Sequence, residues 1–197
     1  MKLGVLPLGH GLDRVKLAGE RLFASVGHCV TFVIAPVRRA EALTLNGSLD
    51  GQLLRTKVWA QSFGDQVVVV PTPLFTDDIL AVSLAHKNIS VQSLDDLVGW
   101  RVLITGGHRW AEAQLAERGI TPVTASTATR YLELLELDRV DVGLTERVGI
   151  EPLQGKPQFA VQPIAKIDYH IVLRSAHMSL IADLDAAVAA LRAQRKN

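Results

Sequence analysis

Residues 93–107 read Ser-Leu-Asp-Asp-Leu-Val-Gly-Trp-Arg-Val-Leu-Ile-Thr-Gly-Gly. Ser93 suits an N-cap, so a short helix is expected over Leu94–Leu97. The β-branched run Arg101–Thr105 predicts a strand, and Gly106-Gly107 ends it. A helix is expected over Arg109–Arg118, stopped by Gly119. Further on, Thr121–Ala125 reads as a strand, and Ser126 or Thr127 can cap a helix over Ala128–Leu137. Val140–Leu144, with Asp141 at its start, reads as another strand. Strands alternating with helices in this way point to an α/β unit built on a mostly parallel sheet.

Working back from residue 93, the first third has the same rhythm. Lys2–Leu8 is an apolar run ended by Pro7, Gly9 and Gly11, expected as a buried strand. Asp13 can cap a helix over Arg14–Val26, whose face is Val15, Leu17, Ala18, Leu22 and Phe23, and Gly27 ends it. Cys29–Ile34 is a strand, Val37–Leu45 a helix stopped by Asn46-Gly47, and Leu49–Leu54 a strand. Gln66–Val70 and Ile79–Leu84 are strands that Pro71 and Pro73 keep apart. After residue 144, Gly155 and Pro157 mark a loop. Phe159–Pro163 and Tyr169–Leu173 are two strands, and Ile181–Gln194 is an amphipathic helix with Ile181, Leu184, Ala187, Val188 and Leu191 on one stripe. The expected plan is two α/β halves in series. Strand-like joints near Ala81–Ala85 and Ala165–Tyr169 would act as a two-strand hinge. The alternative is one continuous doubly wound sheet.

Bulk composition narrows the function classes. Of 197 residues, 48% are apolar but only 5% aromatic, so the core is expected to be Val, Leu, Ile and Ala. The 21 Lys and Arg nearly balance the 20 Asp and Glu, against the basic excess of a nucleic-acid binder. The tail Arg192, Arg195 and Lys196 reads as a solvated helix end. The single cysteine, Cys29, cannot form an internal disulfide and reads as a buried structural thiol. No run approaches the length of a membrane helix. The opening Met1–His10 is too short for a signal peptide and lacks a small-x-small cleavage site, so either the protein is cytoplasmic or a signal was removed.

Four stretches, in order, resemble type 2 periplasmic solute-binding proteins, the receptors of ABC transporters that bind amino acids. Asn46-Gly-Ser-Leu-Asp-Gly51 is similar to the helix end that leads into a strand of lobe one. Residues 93–107 are similar to the stretch that opens lobe two. Leu137-Asp-Arg-Val-Asp-Val-Gly-Leu-Thr-Glu146 is similar to the strand of lobe two that ends in an acid. Tyr169–Arg174 and the last helix resemble the family's returning strand and closing helix. The resemblance covers nearly the whole chain. It implies a divergent, short, two-lobed α/β fold, each lobe a mixed, mostly parallel sheet flanked by helices. Lobe one would comprise residues 1–83 plus 169–197, and lobe two residues 84–168. Two departures stand out: the family's early Tyr-x-Pro-Phe segment is here Leu8-Gly-His-Gly-Leu12, and its Thr-x-x-Arg clamp has no clean counterpart.

Ligands of open α/β sheets bind beyond the carboxyl ends of strands, and that rule selects the candidates. Gly106-Gly107-His108-Arg109-Trp110 follows a strand and opens a helix, where free N–H groups suit an anion. Thr127 ends the next strand and either caps a helix or touches ligand. Glu146 ends the strand after that, where the resemblance implies an acid that takes a ligand's amino group. From lobe one, Arg55 can bind a carboxylate bidentately or form a surface ion pair. Phe75 and Thr76 either line the cleft or form a capping turn, and His10 follows the first strand.

No hydrolase, P-loop or metal-ligand pattern occurs, and Gly106-Gly107 lacks the rest of a dinucleotide fingerprint. The expectation is therefore non-catalytic binding of a small polar or anionic solute, of the amino-acid or organic-acid class, in an inter-lobe cleft with hinge closure. No cofactor and no metal are expected. The resemblance implies a periplasmic or extracellular monomer, peripheral to a membrane at most, that serves an ABC transporter permease or a sensor protein. A lyase- or dehydratase-like enzyme using Glu146 and a ligand-sensing regulatory domain are the alternatives.

Overall fold

Short β-branched runs alternate with amphipathic helices, and the chain folds into the α/β architecture that this alternation dictates. The computed structural model describes residues 1–6, 12–147, 153 and 155–194. His10 lies outside the described residues. The chain forms two compact units, Met1–Thr76 with Asp168–Asn197, and Asp77–Ile167. It passes from one to the other within two strands, Phe75–Leu84 (β5) and Phe159–Arg174 (β9). The first division precedes Ala81–Ala85 because residues 79–82 of β5 pair with a strand of the second unit.

In the first unit, Lys2–Val5 (β1) pairs in parallel with Thr31–Ile34 (β2) and with Gly51–Arg55 (β3). The end of β9 runs antiparallel to β3 on one edge and to Val67–Val69 (β4) on the other. Two helices, Leu12–Ser25 (α1) and Ile181–Gln194 (α6), contact each other. Their apolar residues join a core of Leu3, Leu22, Phe23, Leu53, Ile171, Leu173, Leu184 and Val188. All five residues of the expected α6 stripe take part. Each fully buried Leu, Val or Phe contributes about 1.5–3 kcal/mol. The helix Val37–Leu45 (α2) has the expected bounds and is followed by Asn46 as its C-cap.

A five-residue helix, Lys57–Gln61 (α3), was not anticipated. Its Val and Trp favour strands. It forms because the Thr56 side chain accepts the Trp59 N–H and because Trp59 and Ala60 are buried. Cys29 is exposed rather than buried. It precedes the outer strand β2, and its carbonyl accepts the Met1 ammonium at 2.7 Å.

In the second unit, Val102–Thr105 (β6) pairs in parallel with Val123–Ala125 (β7) and with Val142–Glu146 (β8). β5 runs antiparallel to β8, and β9 is its other neighbour. The helices Arg109–Ala116 (α4) and Ala128–Glu136 (α5) follow β6 and β7. α5, capped by Thr127, packs Tyr131, Leu134 and Leu135 onto Val82, Leu103 and Val140. Lys87 and Arg101 bind Asp138 and Asp141 where β6 and β8 begin. Two expectations change. β9 is continuous through Pro163. Among the described residues its first half has β5 as its only neighbour, and such an outer strand tolerates a residue without an N–H. The segment after Ser93 is a 3-10 turn over Asp95–Leu97, in which Asp96 accepts the N–H groups of Gln92 and Ser93 and the Ser93 hydroxyl. The carboxylate thus binds the chain just before the turn, and the turn itself has no side-chain cap among the described residues. No helix among the described residues is long and apolar enough to cross a membrane.

Candidate functional site

In the second unit, the carboxyl ends of β6 and β8 bring His108 and Glu146 together. His108 Nε2 lies 2.5 Å from Glu146 Oε1. His108 Nδ1 accepts the Ala111 N–H at 3.1 Å, so the imidazole is the N-cap of α4. A lone pair used at Nδ1 leaves the proton on Nε2, which therefore donates to the carboxylate. Burial alone would lower the His108 pKa. The hydrogen bond and negative charge of Glu146, with Glu112 adding, outweigh it and hold the pKa above the ordinary value. A second proton would have to enter at Nδ1 and would break the Ala111 cap. Trp110 stands edge-on to the His108 ring, with centroids 6.3 Å apart.

The open N–H donors expected at residues 106–109 are not present, because the chain itself occupies them. Gly106 N–H goes to Ala125 O, His108 N–H to Thr105 O and Arg109 N–H to Gly107 O. Gly107 N–H goes to the Glu112 carboxylate at 3.1 Å. Glu112 thus stands where an external anion was expected. Gly107 itself has φ +83°, a conformation that suits glycine. Thr127 acts as a cap, its side chain accepting the Arg130 N–H at 3.1 Å.

Two further groups lie in this unit. Tyr131 on α5 is 7% exposed, and its hydroxyl has no hydrogen-bond partner among the described residues. Burial first, and then the charge of Glu146, pushes its pKa far up. The hydroxyl lies over Gly143 of β8, where a Cβ would sit 2.2 Å from it. Arg147, just past β8, pairs with Asp77 and Asp78 at the start of β5, and Lys166 of β9 reaches Asp78 at 2.7 Å.

In the first unit, Arg55 ends β3 after a bulge between Gln52 and Arg55. Leu54 in this bulge has φ +60°, rare for a residue with a side chain. Arg55 is 5% exposed and so is a buried residue rather than a surface one. Its Nε donates to Gln52 Oε1, and its guanidinium lies 5.1 Å from the centre of the Trp59 ring. Gln52 Nε2 donates to Thr44 Oγ1, Thr44 donates to Ala40 O, and Trp59 Nε1 donates to Glu41 Oε1 at 2.8 Å. All of these residues are buried. Phe75 stacks on Tyr169 with centroids 6.5 Å apart. Thr76 donates to Asp168 at 2.6 Å, and Arg192 reaches Pro73 O and the Thr76 hydroxyl.

The sequence reading missed Glu112, Gln52, Glu41 and Trp59. Glu41 and Thr44 stand three apart on α2 beside the buried Ala40, a spacing that puts polar groups on its inner face. Gln52 and Glu112 become partners only through tertiary approach. No group of three or more His, Cys, Asp and Glu placed to hold a metal occurs among the described residues.

No protein-family model matches the sequence. A protein of Shewanella oneidensis without an assigned function is 27% identical over 158 residues, which cover 74% of this chain. The match spans 57% of that relative's length. Among solved structures, the GluR0 ligand-binding core in complex with L-glutamate superposes with a TM-score of 0.76 at 17% identity. It covers 99% of this chain and 93% of that one. An arginine transport system periplasmic binding protein from Legionella pneumophila gives 0.70 at 14% identity, covering 100% and 95%. A histidine kinase sensor domain with similarity to periplasmic binding proteins gives 0.71 at 21%, covering 92% and 81%. At these identities the likeness is one of fold.

Proposed function

The chain has the type 2 periplasmic-binding-protein fold in a divergent form, and on that premise we propose that it binds one small polar or anionic solute without transforming it. The solute class is an amino acid or organic acid. The observation that carries this reading is the Glu146–His108 pair at the strand ends of the second unit. It presents a carboxylate, held by the His108 Nε2–H, to an ammonium group. Solved proteins of this fold hold L-glutamate in one case, and others are named for arginine. Arg109 and Trp110 would add a cation and an apolar cover on the same unit. In the first unit, Phe75 and Thr76 remain candidates, whereas Arg55 is enclosed by Gln52 and Trp59.

A non-catalytic role is supported by how His108 is used. Its Nδ1 lone pair is spent on Ala111 and its Nε2 faces Glu146, so the ring has no free nitrogen to serve as a base. Sensing is a second reading, favoured by the likeness to the histidine kinase sensor domain. Solute capture is common to both readings. An ABC-type permease or a signalling protein would be the partner, and the periplasm or the extracellular space the place.

A thermal-shift screen against amino acids and organic acids tests the proposal. A ligand at a hundred times its Kd stabilises by about 2.7 kcal/mol. For a chain of this size that raises Tm by about 5–11 °C. One chemical class should give this shift, and Glu146→Gln should remove it for ligands that carry an ammonium group. No shift from any member, or conversion of the bound compound to product, would contradict the reading.

A further inference from the structure

At the other end of β3 from Arg55, the first unit carries a recess of about 240 Å³. It is lined by the last residues of α2 (Thr44 and Leu45), by Gln66, and by Arg174, Ser175 and Ala176 where β9 ends. Arg174 is half-buried. Its guanidinium lies flat against Gly47, where an added Cβ would stand 3.1 Å from Nη1, 3.4 Å from Cζ and 3.5 Å from Nη2. Gly47 has φ +83°, so a side chain would be strained there as well as crowding the arginine. The guanidinium thus lies beside the Gly47 backbone.

Its neighbours are already committed elsewhere. Asp50 accepts the Lys2 N–H and faces His177 Nε2 at 2.9 Å. The Ser175 hydroxyl donates to Asp65 O. Thr44 is engaged with Ala40 and Gln52. Among the described residues the Arg174 guanidinium has neither a carboxylate nor a hydrogen-bond acceptor. A half-buried guanidinium that lines a recess and lacks an acceptor has its bidentate donor pair to offer.

We propose that this recess is a second ligand site, separate from the Glu146–His108 pair, which takes a small oxyanion, carboxylate or phosphate, on the Arg174 fork with the Gln66 amide beside it. Its volume admits a few heavy atoms. The α2 carbonyl end at Thr44 and Leu45 opposes negative charge, so a compact monoanion fits better than a dianion.

The test is a titration of backbone amide NMR signals at low ionic strength, with inorganic phosphate in one arm and succinate in the other. The expected result is a saturable shift of Leu45, Gly47, Gln66, Ser175 and Ala176 in at least one arm, and the arm with the lower Kd identifies the class. Arg174→Gln should weaken binding about tenfold or more. Arg174→Lys, which keeps the charge without the fork, should fall between. Gln66→Ala, on an exposed residue, should weaken it by a smaller factor. Glu146→Gln should leave it unchanged, which separates this site from the proposed solute site. Non-saturating shifts, shifts spread over the surface, or binding that survives Arg174→Gln would overturn the proposal.

Discussion

The two units treat their charged strand-end residues in opposite ways. In the first, Arg55 is enclosed by Gln52 and Trp59 and ends a network that runs back to Thr44 on α2. In the second, Glu146 and His108 are partly open, and each side chain is about 20% exposed (19% and 21%). One charge is built into the fold, and the other is presented from it. A charged residue at a strand end is thus no measure of function by itself. What separates the two cases is how far the packing closes over the charge.

The largest effect that would break this contrast lies under the second unit. Gly143→Ala puts a Cβ 2.2 Å from the Tyr131 hydroxyl oxygen and 2.7 Å from Cζ. It should cost about 3 kcal/mol by overpacking, seen as a lower urea midpoint. Tyr131→Phe in the same chain should restore part of the loss. Alone, that change should be neutral within about 0.5 kcal/mol or stabilising, because the hydroxyl is buried without a partner. A tolerated Gly143→Ala would show that α5 does not press on β8 as described.

Arg55→Ala comes next. It removes a charge-assisted bond to Gln52 and the stack on Trp59, and should cost about 2 kcal/mol of stability. Glu146→Gln keeps the shape of the side chain and should change stability by less than about 1 kcal/mol while removing binding. Equal losses in the two variants would erase the distinction between a built-in and a presented charge.

The smallest effect is in pH dependence, and it should have opposite signs in the two units. His170 of the first unit is 2% exposed, with Nδ1 2.9 Å from Val70 O. Burial foremost, with Lys57 and Arg192 nearby, lowers its pKa, against Val70 O and Asp168, which raise it. A lowered folded-state value means that the unfolded chain takes the proton first as pH falls. The contribution of His170 is therefore present above the ordinary histidine value of about 6.5 and lost below it. For His108 the folded-state value is raised. Its contribution is complete below about 6.5 and lost as pH rises through the raised value. Histidine NMR titration should place the two on opposite sides of the ordinary value, and Glu146→Gln should bring down only His108. Both on one side would contradict the electrostatic account.

The parts of the fold that were legible in the sequence are those where one signal dominates. The α6 stripe and the bounds of α2 follow from periodicity and a stop at Asn46-Gly47, and the strand core of β6 from its β-branched run. α3 was hidden because it is only five residues long, its Val58 and Trp59 favour strands, and it is made helical by Thr56 and by burial. β9 reads as two strands, Phe159–Pro163 and Tyr169–Leu173, whereas the joint between them is part of one continuous strand. At the site, His108 and Glu146 could each be named from a strand end, but their bond could not, because 38 positions separate them. Gly106-Gly107 gave a sound turn and a misleading anion site, since nothing in the local pattern shows that Glu112 folds back to fill it. Arg55 was placed at the right end of the right strand. Its enclosure depends on Gln52, Trp59 and the bulge at Leu54, none of which has a short-range signal.

Isothermal titration of the wild-type chain and of Glu146→Gln, with the free solute followed by NMR after each run, tests solute binding most directly. L-glutamate, L-arginine and a set of small organic acids are the first ligands to use. The account predicts saturable one-site binding of one class by the wild type, at least tenfold weakening in Glu146→Gln for solutes with an ammonium group, and recovery of the solute unchanged. Absence of binding across the set, equal binding by the two proteins, or chemical conversion of the solute would contradict it.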